Sequence, residues 1–257
     1  MSELFIETRG RGERQLVLIH GWAMHGGVFA PLVDALTEHC TLHIVDLPGH
    51  GHSRDCDLPL QPEACARAIA AATPPATWLG WSLGGLVALT AALDMPAQVQ
   101  GLAMLCASPC FVRRADWPLG VEAEVFAQFG RDLEHDYRAT LERFLALEAL
   151  GSEHAREEMR QLRGDVFARG EPDPRVLQEG IALLQHTDLR EEVATLTQPS
   201  CWIAGARDRL IPWQAMAWST EACGGRFARI PHAGHAPFIG FADAVAAALD
   251  SDTVTLA

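Results

Sequence analysis

The sequence predicts an α/β protein, a mostly parallel sheet flanked by helices and interrupted once by a wholly helical insertion. Three observations carry that expectation. Short apolar runs bounded by glycine and proline alternate with helix-like segments as far as about residue 110. Strand-like runs then vanish between residues 112 and 190. The alternation returns after residue 190. Continuous apolar runs suit strands covered on both faces, and β-then-α alternation suits parallel crossovers.

The elements follow in chain order. Residues 15–19 (Gln-Leu-Val-Leu-Ile), 41–45 (Thr-Leu-His-Ile-Val), 77–80 (Thr-Trp-Leu-Gly) and 101–107 (Gly-Leu-Ala-Met-Leu-Cys-Ala) read as buried strands. Residues 62–72 and 86–93 read as the helices between them. In the insertion, Leu133, Tyr137, Leu141, Phe144 and Leu145 fall at helical spacing and form one packing stripe. Asp173-Pro174 opens a turn, and residues 178–185 suggest a further helix. Residues 200–204 and 226–230 are the returning strands, with helices at 212–223 and 241–249. The organisation expected is a core of residues 1–111 and 191–257 with a helical cap at 112–190.

Composition removes whole chemistries. All 20 basic residues of the 257 are arginine, so there is no lysine. Schiff-base catalysis, a phosphate-loop nucleotidase and a protein kinase each need one. The net charge of −13 argues against a nucleic-acid partner. Seven scattered cysteines give no paired zinc spacing and read as reduced thiols. Met1-Ser2-Glu3-Leu4-Phe5 lacks the basic and apolar regions of a secretion signal. Residues 69–93 carry no charge, but Pro74-Pro75, Gly80, Gly84 and Gly85 break them into turn, strand and helix, so no membrane span is expected. A cytoplasmic monomer is the resulting expectation.

Gly80-Trp81-Ser82-Leu83-Gly84 is a G-x-S-x-G pentapeptide between an expected strand and an expected helix. That is the setting of a nucleophile elbow, a strained turn whose flanking positions must be small. A serine hydroxyl needs a base near neutrality. His235 lies in the loop after the last expected strand, followed by apolar residues that suit a loop packed on the core. His232 is the rival in the same loop. The imidazole needs an acid to fix its tautomer, and Asp208 follows the penultimate strand. A salt bridge with Arg207 or Arg209 is the competing role for Asp208. The order Ser82, Asp208, His235 places one residue at the end of each of three strands.

An oxyanion needs preset donors. The N–H of Leu83, directly after Ser82, is one candidate. The N–H of Trp22, in His20-Gly21-Trp22 after the first strand, is the other. Only that N–H is needed, which leaves the indole free to line an acyl pocket. His20 reads as a structural hydrogen-bonding residue. Asp46-Leu47-Pro48-Gly49-His50-Gly51-His52-Ser53 holds two histidines beside an aspartate, yet Pro-Gly and Gly make it a tight turn, and no second ligand set accompanies it. No metal and no organic cofactor is expected.

Taken together, these motifs resemble the α/β-hydrolase superfamily over nearly the whole chain. Residues 78–88, Ala107-Ser108-Pro109-Cys110-Phe111, Glu142-Arg143-Phe144-Leu145-Ala146-Leu147 and His235-Ala236-Pro237-Phe238-Ile239 are similar, more narrowly, to the pimeloyl-acyl carrier protein methyl ester esterases of biotin synthesis. The resemblance implies a serine carboxylesterase that removes the methyl group from a pimeloyl chain carried on acyl carrier protein. It also implies substrate contacts at Trp22, Ser82, Leu83, Phe144, Leu145, Ala146, Leu147, Glu148 and His235. The family segment commonly ends in glutamine where this chain has Glu148.

An acidic carrier meeting an acidic chain needs a local positive patch. Arg138 and Arg143, then Arg156, Arg160 and Arg163, are the candidates, the last three falling on one helical face. Glu142, Glu153, Glu157 and Glu158 interleave with them, so ordinary solvated ion pairs are the competing role. A short-chain esterase or a carbon–carbon bond hydrolase would use the same three residues, and a non-catalytic receptor would use the same fold. A haloalkane dehalogenase would need aspartate where Ser82 stands.

Overall fold

The apolar runs assemble into one seven-stranded sheet. In the computed structural model, which describes residues 3–250, its strands are β1 (Ile6–Gly10), β2 (Arg14–Ile19), β3 (Cys40–Val45), β4 (Ala76–Trp81), β5 (Val99–Leu105), β6 (Ser200–Gly205) and β7 (Arg226–Ile230). Met1 and Ser2, the start of the segment read for a secretion signal, and residues 251–257 lie outside the described residues. The spatial order is β1-β3-β2-β4-β5-β6-β7, with β1 antiparallel to β3 and every other pair parallel. Val17, Leu18, Ile19, Trp78, Leu79 and Trp81 are all fully buried, as central parallel strands require.

Helices make the crossovers. They are α1 (Ala30–Leu36), α2 (Pro62–Ala72) and α3 (Leu83–Asp94) in the first half. Between β5 and β6 lie α4 (Ala123–His135), α5 (Tyr137–Ala149), α6 (Ala155–Asp165), α7 (Pro174–His186) and α8 (Arg190–Val193). The chain closes with α9 (Trp213–Cys223), α10 (Pro237–Gly240) and α11 (Ala242–Asp250). Strand order reverses between β2 and β4, so the loops leaving their carboxyl ends open onto one crevice. Ligands of open α/β sheets bind at such a point.

Two features depart from the sequence reading. β1 was not expected, because Ile6-Glu7-Thr8-Arg9-Gly10 sits at an edge, half exposed, and carries no apolar run. The stripe from Leu133 to Leu145 spans two helices. Asp136 leaves helical geometry (φ −151°) and its carboxylate accepts the Ala139 N–H, which ends α4 and starts α5. Leu133, Leu141, Phe144 and Leu145 are nevertheless all buried.

The inserted helices are tied to the core at both ends. Arg169, between α6 and α7, donates to Asp46 at 3.1 Å and to Glu7 at 3.0 Å. His25 donates from Nε2 to the Asp165 carbonyl at 2.7 Å. At the other end Glu153 N–H donates to His232 O at 2.9 Å. Asp46 is fully buried, and without Arg169 it keeps only the Gly26 and His52 N–H donors. Arg169→Met is therefore expected to cost about 2 kcal/mol of stability, since a buried carboxylate loses its cation but not all its hydrogen bonds. Urea unfolding measures it, and an unchanged midpoint would refute the clasp.

Candidate active site

The turn after β4 is strained. Ser82 has φ 52° and ψ −121°, a region that L residues seldom occupy. A Cβ at Gly80 would lie 2.3 Å from Gly84 O, and one at Gly84 would lie 2.4 Å from Ile19 O. Glycine at both positions therefore lets α3 start directly on the strand end. Ser82 N–H donates to Leu105 O at 3.1 Å, which holds the turn to β5. The Ser82 side chain stands just beyond the carboxyl end of β4 and is only 3% exposed.

The loops after β6 and β7 bring Asp208 and His235 together. His235 Nδ1 donates to Asp208 Oδ2 at 2.8 Å, with both side chains essentially inaccessible. That proton on Nδ1 leaves Nε2 as the acceptor, and Nε2 is buried with no partner, so no Ser82–His235 hydrogen bond is closed in this structure. Catalytic hydrogen bonds often tighten only when substrate arrives. The remaining Asp208 oxygen accepts the N–H groups of Leu210 and Ile211 at 2.8 and 2.9 Å, so the acid is held by backbone rather than by Arg207 or Arg209. His232 stays on the surface, 2.6 Å from Arg207.

Two residues that the sequence reading did not single out complete this arrangement. Trp81, inside the pentapeptide, donates its indole N–H to His235 O at 2.8 Å. It thereby links the elbow to the histidine loop. Cys106 directly follows β5 with φ 44°, and its Sγ, an Asp208 oxygen and a His235 ring nitrogen lie within 4.8 Å of one another. Burial, and then the Asp208 carboxylate, push the thiol well up, so it stays protonated beside the acid. The only signal available was position. Trp81 is the variable residue of the motif, and Cys106 lies at a strand end, where parallel sheets collect functional groups.

The loop after β2 faces Ser82. A Cβ at Gly21 would lie 3.2 Å from Ser82 Cβ. Trp22 N–H has no acceptor among the described residues, and Leu83, as the first residue of α3, has none within its helix. Both N–H groups thus remain available beside the serine. The Trp22 indole is not free, however. It donates to Leu177 O on α7 at 2.9 Å, and its ring packs on Phe144 at 4.6 Å. α7 comes so close that a Cβ at Gly180 would lie 2.5 Å from Trp22 Cδ1. His20 accepts the Leu47 N–H at 2.9 Å and donates to Gly21 O at 2.7 Å. Burial and the neighbouring His50 hold its pKa well down, and burial brings His50 to about 4. Both rings are neutral struts for the loops.

The segment 144–148 does not present one face. Five consecutive helical residues turn through more than a full circle. Phe144, Leu145 and Glu148 are buried, Leu147 is half-buried, and Ala146 is exposed on the outer side. Ala146 instead lines a groove of about 550 Å³ between α5 and α6, together with Leu150, Met159, Arg156, Arg160 and Arg163. Arg138 pairs with Glu171 and Arg143 with Asp132. Arg163 pairs with Glu142, and Arg160 sits 3.4 Å from Glu157. Arg156 has no ion-pair partner among the described residues.

In the 46–53 segment the chain turns at Gly49 (φ 74°) and Gly51 (φ 49°) around the Asp46 carboxylate, which accepts the N–H of Gly26 and of His52. All seven cysteines are free. Among the described residues no helix is long and apolar enough to cross a membrane.

The sequence matches the alpha/beta hydrolase fold family over residues 15–242. It is 60% identical to the "Pimeloyl-[acyl-carrier protein] methyl ester esterase" of Stenotrophomonas maltophilia, covering 96% of this chain and 95% of that protein. It is 58% identical to the protein of the same name from Xanthomonas axonopodis pv. citri, covering 96% and 97%. Among solved structures, an esterase from Exiguobacterium antarcticum superposes with a TM-score of 0.82 at 20% identity, covering 96% of each chain. An enol-lactonase from Burkholderia xenovorans superposes with a TM-score of 0.81 at 18% identity, over 96% of each chain. These two share the fold.

Proposed function

Since the chain belongs to the α/β-hydrolase family and, within it, to the pimeloyl-acyl carrier protein methyl ester esterases, we propose that Ser82, His235 and Asp208 hydrolyse the methyl ester of a carrier-bound pimeloyl chain. The enzyme is a carboxylic ester hydrolase of biotin synthesis. The observation that carries this is the 60% identity over 96% of the chain, which takes in the inserted helices as well as the common core. Core likeness alone would leave the substrate open.

The chemistry follows from the residues present. His235 Nε2 takes the hydroxyl proton as Ser82 Oγ attacks the ester carbonyl carbon. The N–H groups of Trp22 and Leu83 hold the oxyanion. The tetrahedral species collapses, His235 returns the proton, and methanol leaves. A water then gives its proton to His235 and attacks the acyl carbon. The second collapse releases the free acid and restores the Ser82 hydroxyl. Asp208 stabilises the imidazolium in both halves. No step calls for an amine, a metal or an organic cofactor.

Carrier protein enters at the α5–α6 groove in this reading. The mixed apolar and arginine lining suits an acidic partner with an apolar contact strip. Arg156 and Arg160 are the better placed of the five arginines first considered, because Arg138, Arg143 and Arg163 are already closely paired with acids. Seven free thiols suit a reducing compartment, so the cytoplasm is the proposed address. Expression of the chain in a strain lacking this esterase step is expected to restore growth without added biotin. Growth that still requires biotin, with the protein present and folded, would remove the assignment.

A further inference from the structure

Glu148 is a buried carboxyl that the mechanism above does not use. It sits in the last turn of α5, one helical turn beyond Phe144, so the two share a face. Phe144 meets the Trp22 ring edge to face at 4.6 Å. Glu148 is fully buried, and neither of its carboxyl oxygens has a hydrogen-bond partner. Its own main-chain carbonyl accepts the His235 N–H at 3.2 Å. The residue is therefore attached to the histidine loop through its backbone while its side chain stays unanswered.

The elements packed on α5 and on the histidine loop carry several titratable groups, each accounted for by other partners or by burial. The loop after β6 supplies Asp208, the one charged group that acts on Glu148. The loop after β7 supplies His235, whose Nδ1 is turned to Asp208. The end of β5 supplies the protonated Cys106 thiol. On α6, Glu158 is held by Ser152 Oγ at 2.5 Å. On α4, Asp132 is engaged by the exposed Arg143. Arg207, just before Asp208, is exposed and is engaged by Gly151 O and the His232 ring. No cation faces the Glu148 carboxyl among the described residues. An unpaired carboxylate in such a place neutralises rather than stays charged. Burial, and then the Asp208 carboxylate, accordingly hold this carboxyl well above its usual range.

We propose that Glu148 is a positioning residue that supports the Asp208–His235 pair only while protonated, so that alkaline pH switches the site off. The inference rests on the reading of Ser82, Asp208 and His235 as the catalytic set. Loss of the Glu148 proton puts a second buried negative charge beside Asp208. The two repel, the last turn of α5 moves out, and the carbonyl that holds the His235 N–H moves with it. The imidazole then loses its fixed aim at the serine.

Stability follows the same proton. An acid whose folded pKa lies above its ordinary value of 4.5 contributes stability that is fully present below that value. That stability is lost as pH rises toward the folded pKa. Glu148→Gln does not titrate, so its melting temperature should gain on that of the natural protein as pH rises from about 5 to about 8.

The test compares each protein with its own neutral rate, on a small methyl ester. The natural enzyme should lose about tenfold or more of its kcat/KM on going from neutral to alkaline pH, reversibly, whereas Glu148→Gln should hold its level. An equal alkaline fall in both, or none in the natural enzyme, overturns the proposal. A variant that does not fold leaves the infrared carbonyl band of a protonated carboxyl group as a second measurement. In the natural protein that band should be present at neutral pH and vanish over the same interval as activity. Its absence at neutral pH overturns the proposal without any variant. A protein with no esterase activity at any pH, but with this band, would instead refute the catalytic reading and leave the buried acid standing.

Discussion

Replacing Ser82 by alanine is expected to lower kcat for a methyl ester by about 10⁴- to 10⁶-fold while the fold stays intact. No other group can stand in for the serine. Cys106 is near the same histidine, but it is fully buried and its thiol is pushed well away from the thiolate form. The substitution removes one oxygen and keeps the Cβ, so the strain at φ 52° is unchanged and no hydrogen bond is broken. What survives is the contribution of the oxyanion donors and of binding. Asp208→Asn should cost about 10⁴-fold for a different reason. An amide at 2.8 Å from Nδ1 favours the tautomer with its proton on Nε2, which is the atom that must accept from Ser82. Circular dichroism and a titration of released acid separate these outcomes. Activity of Ser82→Ala within tenfold of the natural enzyme would sink the mechanism, and so would an Asp208→Asn variant that matched it.

The sheet was legible because its strands are buried on both faces, which writes each one as an apolar run. β1 was not, because an edge strand half open to solvent needs no such run. The break at Asp136 was missed for a related reason. Leu133 and Leu141 both face the core, so the apolar spacing continues across a point where the backbone does not. Within the site, Ser82, Asp208 and His235 could be read because each stands at a strand end and the first lies in a sterically demanding motif. Trp81 and Cys106 could not, since their roles depend on which loops meet across the sheet. Glu148 was visible only as a departure from a family pattern. Its isolation from every donor is a property of the packed cap that no local spacing encodes.

Reversing the charge at Arg156 and Arg160 together, to glutamate, is expected to lower kcat/KM for the carrier-linked ester by about thirtyfold or more, with a small free ester turned over within about twofold of the natural rate. The separation comes from geometry. Both arginines line the outer groove, whereas Ser82 and His235 are buried and do not line it. A chain of net charge −13 repels an acidic carrier at long range, so an encounter depends on the few cations that are not already neutralised. Arg156 has no partner among the described residues, and the 3.4 Å contact of Arg160 with Glu157 is exposed and weak. Reversal leaves the carrier facing repulsion where it had attraction. Salt offers an independent check. Raising ionic strength should speed the reversed variant on the carrier-linked ester more than the natural enzyme, because screening relieves a local repulsion only in the variant and weakens a local attraction in the natural protein. Arg138→Glu and Arg143→Glu should each do less, since those side chains already spend their charge on Glu171 and Asp132. If the double reversal slows both esters equally, the groove is part of the fold's support and the carrier docks elsewhere.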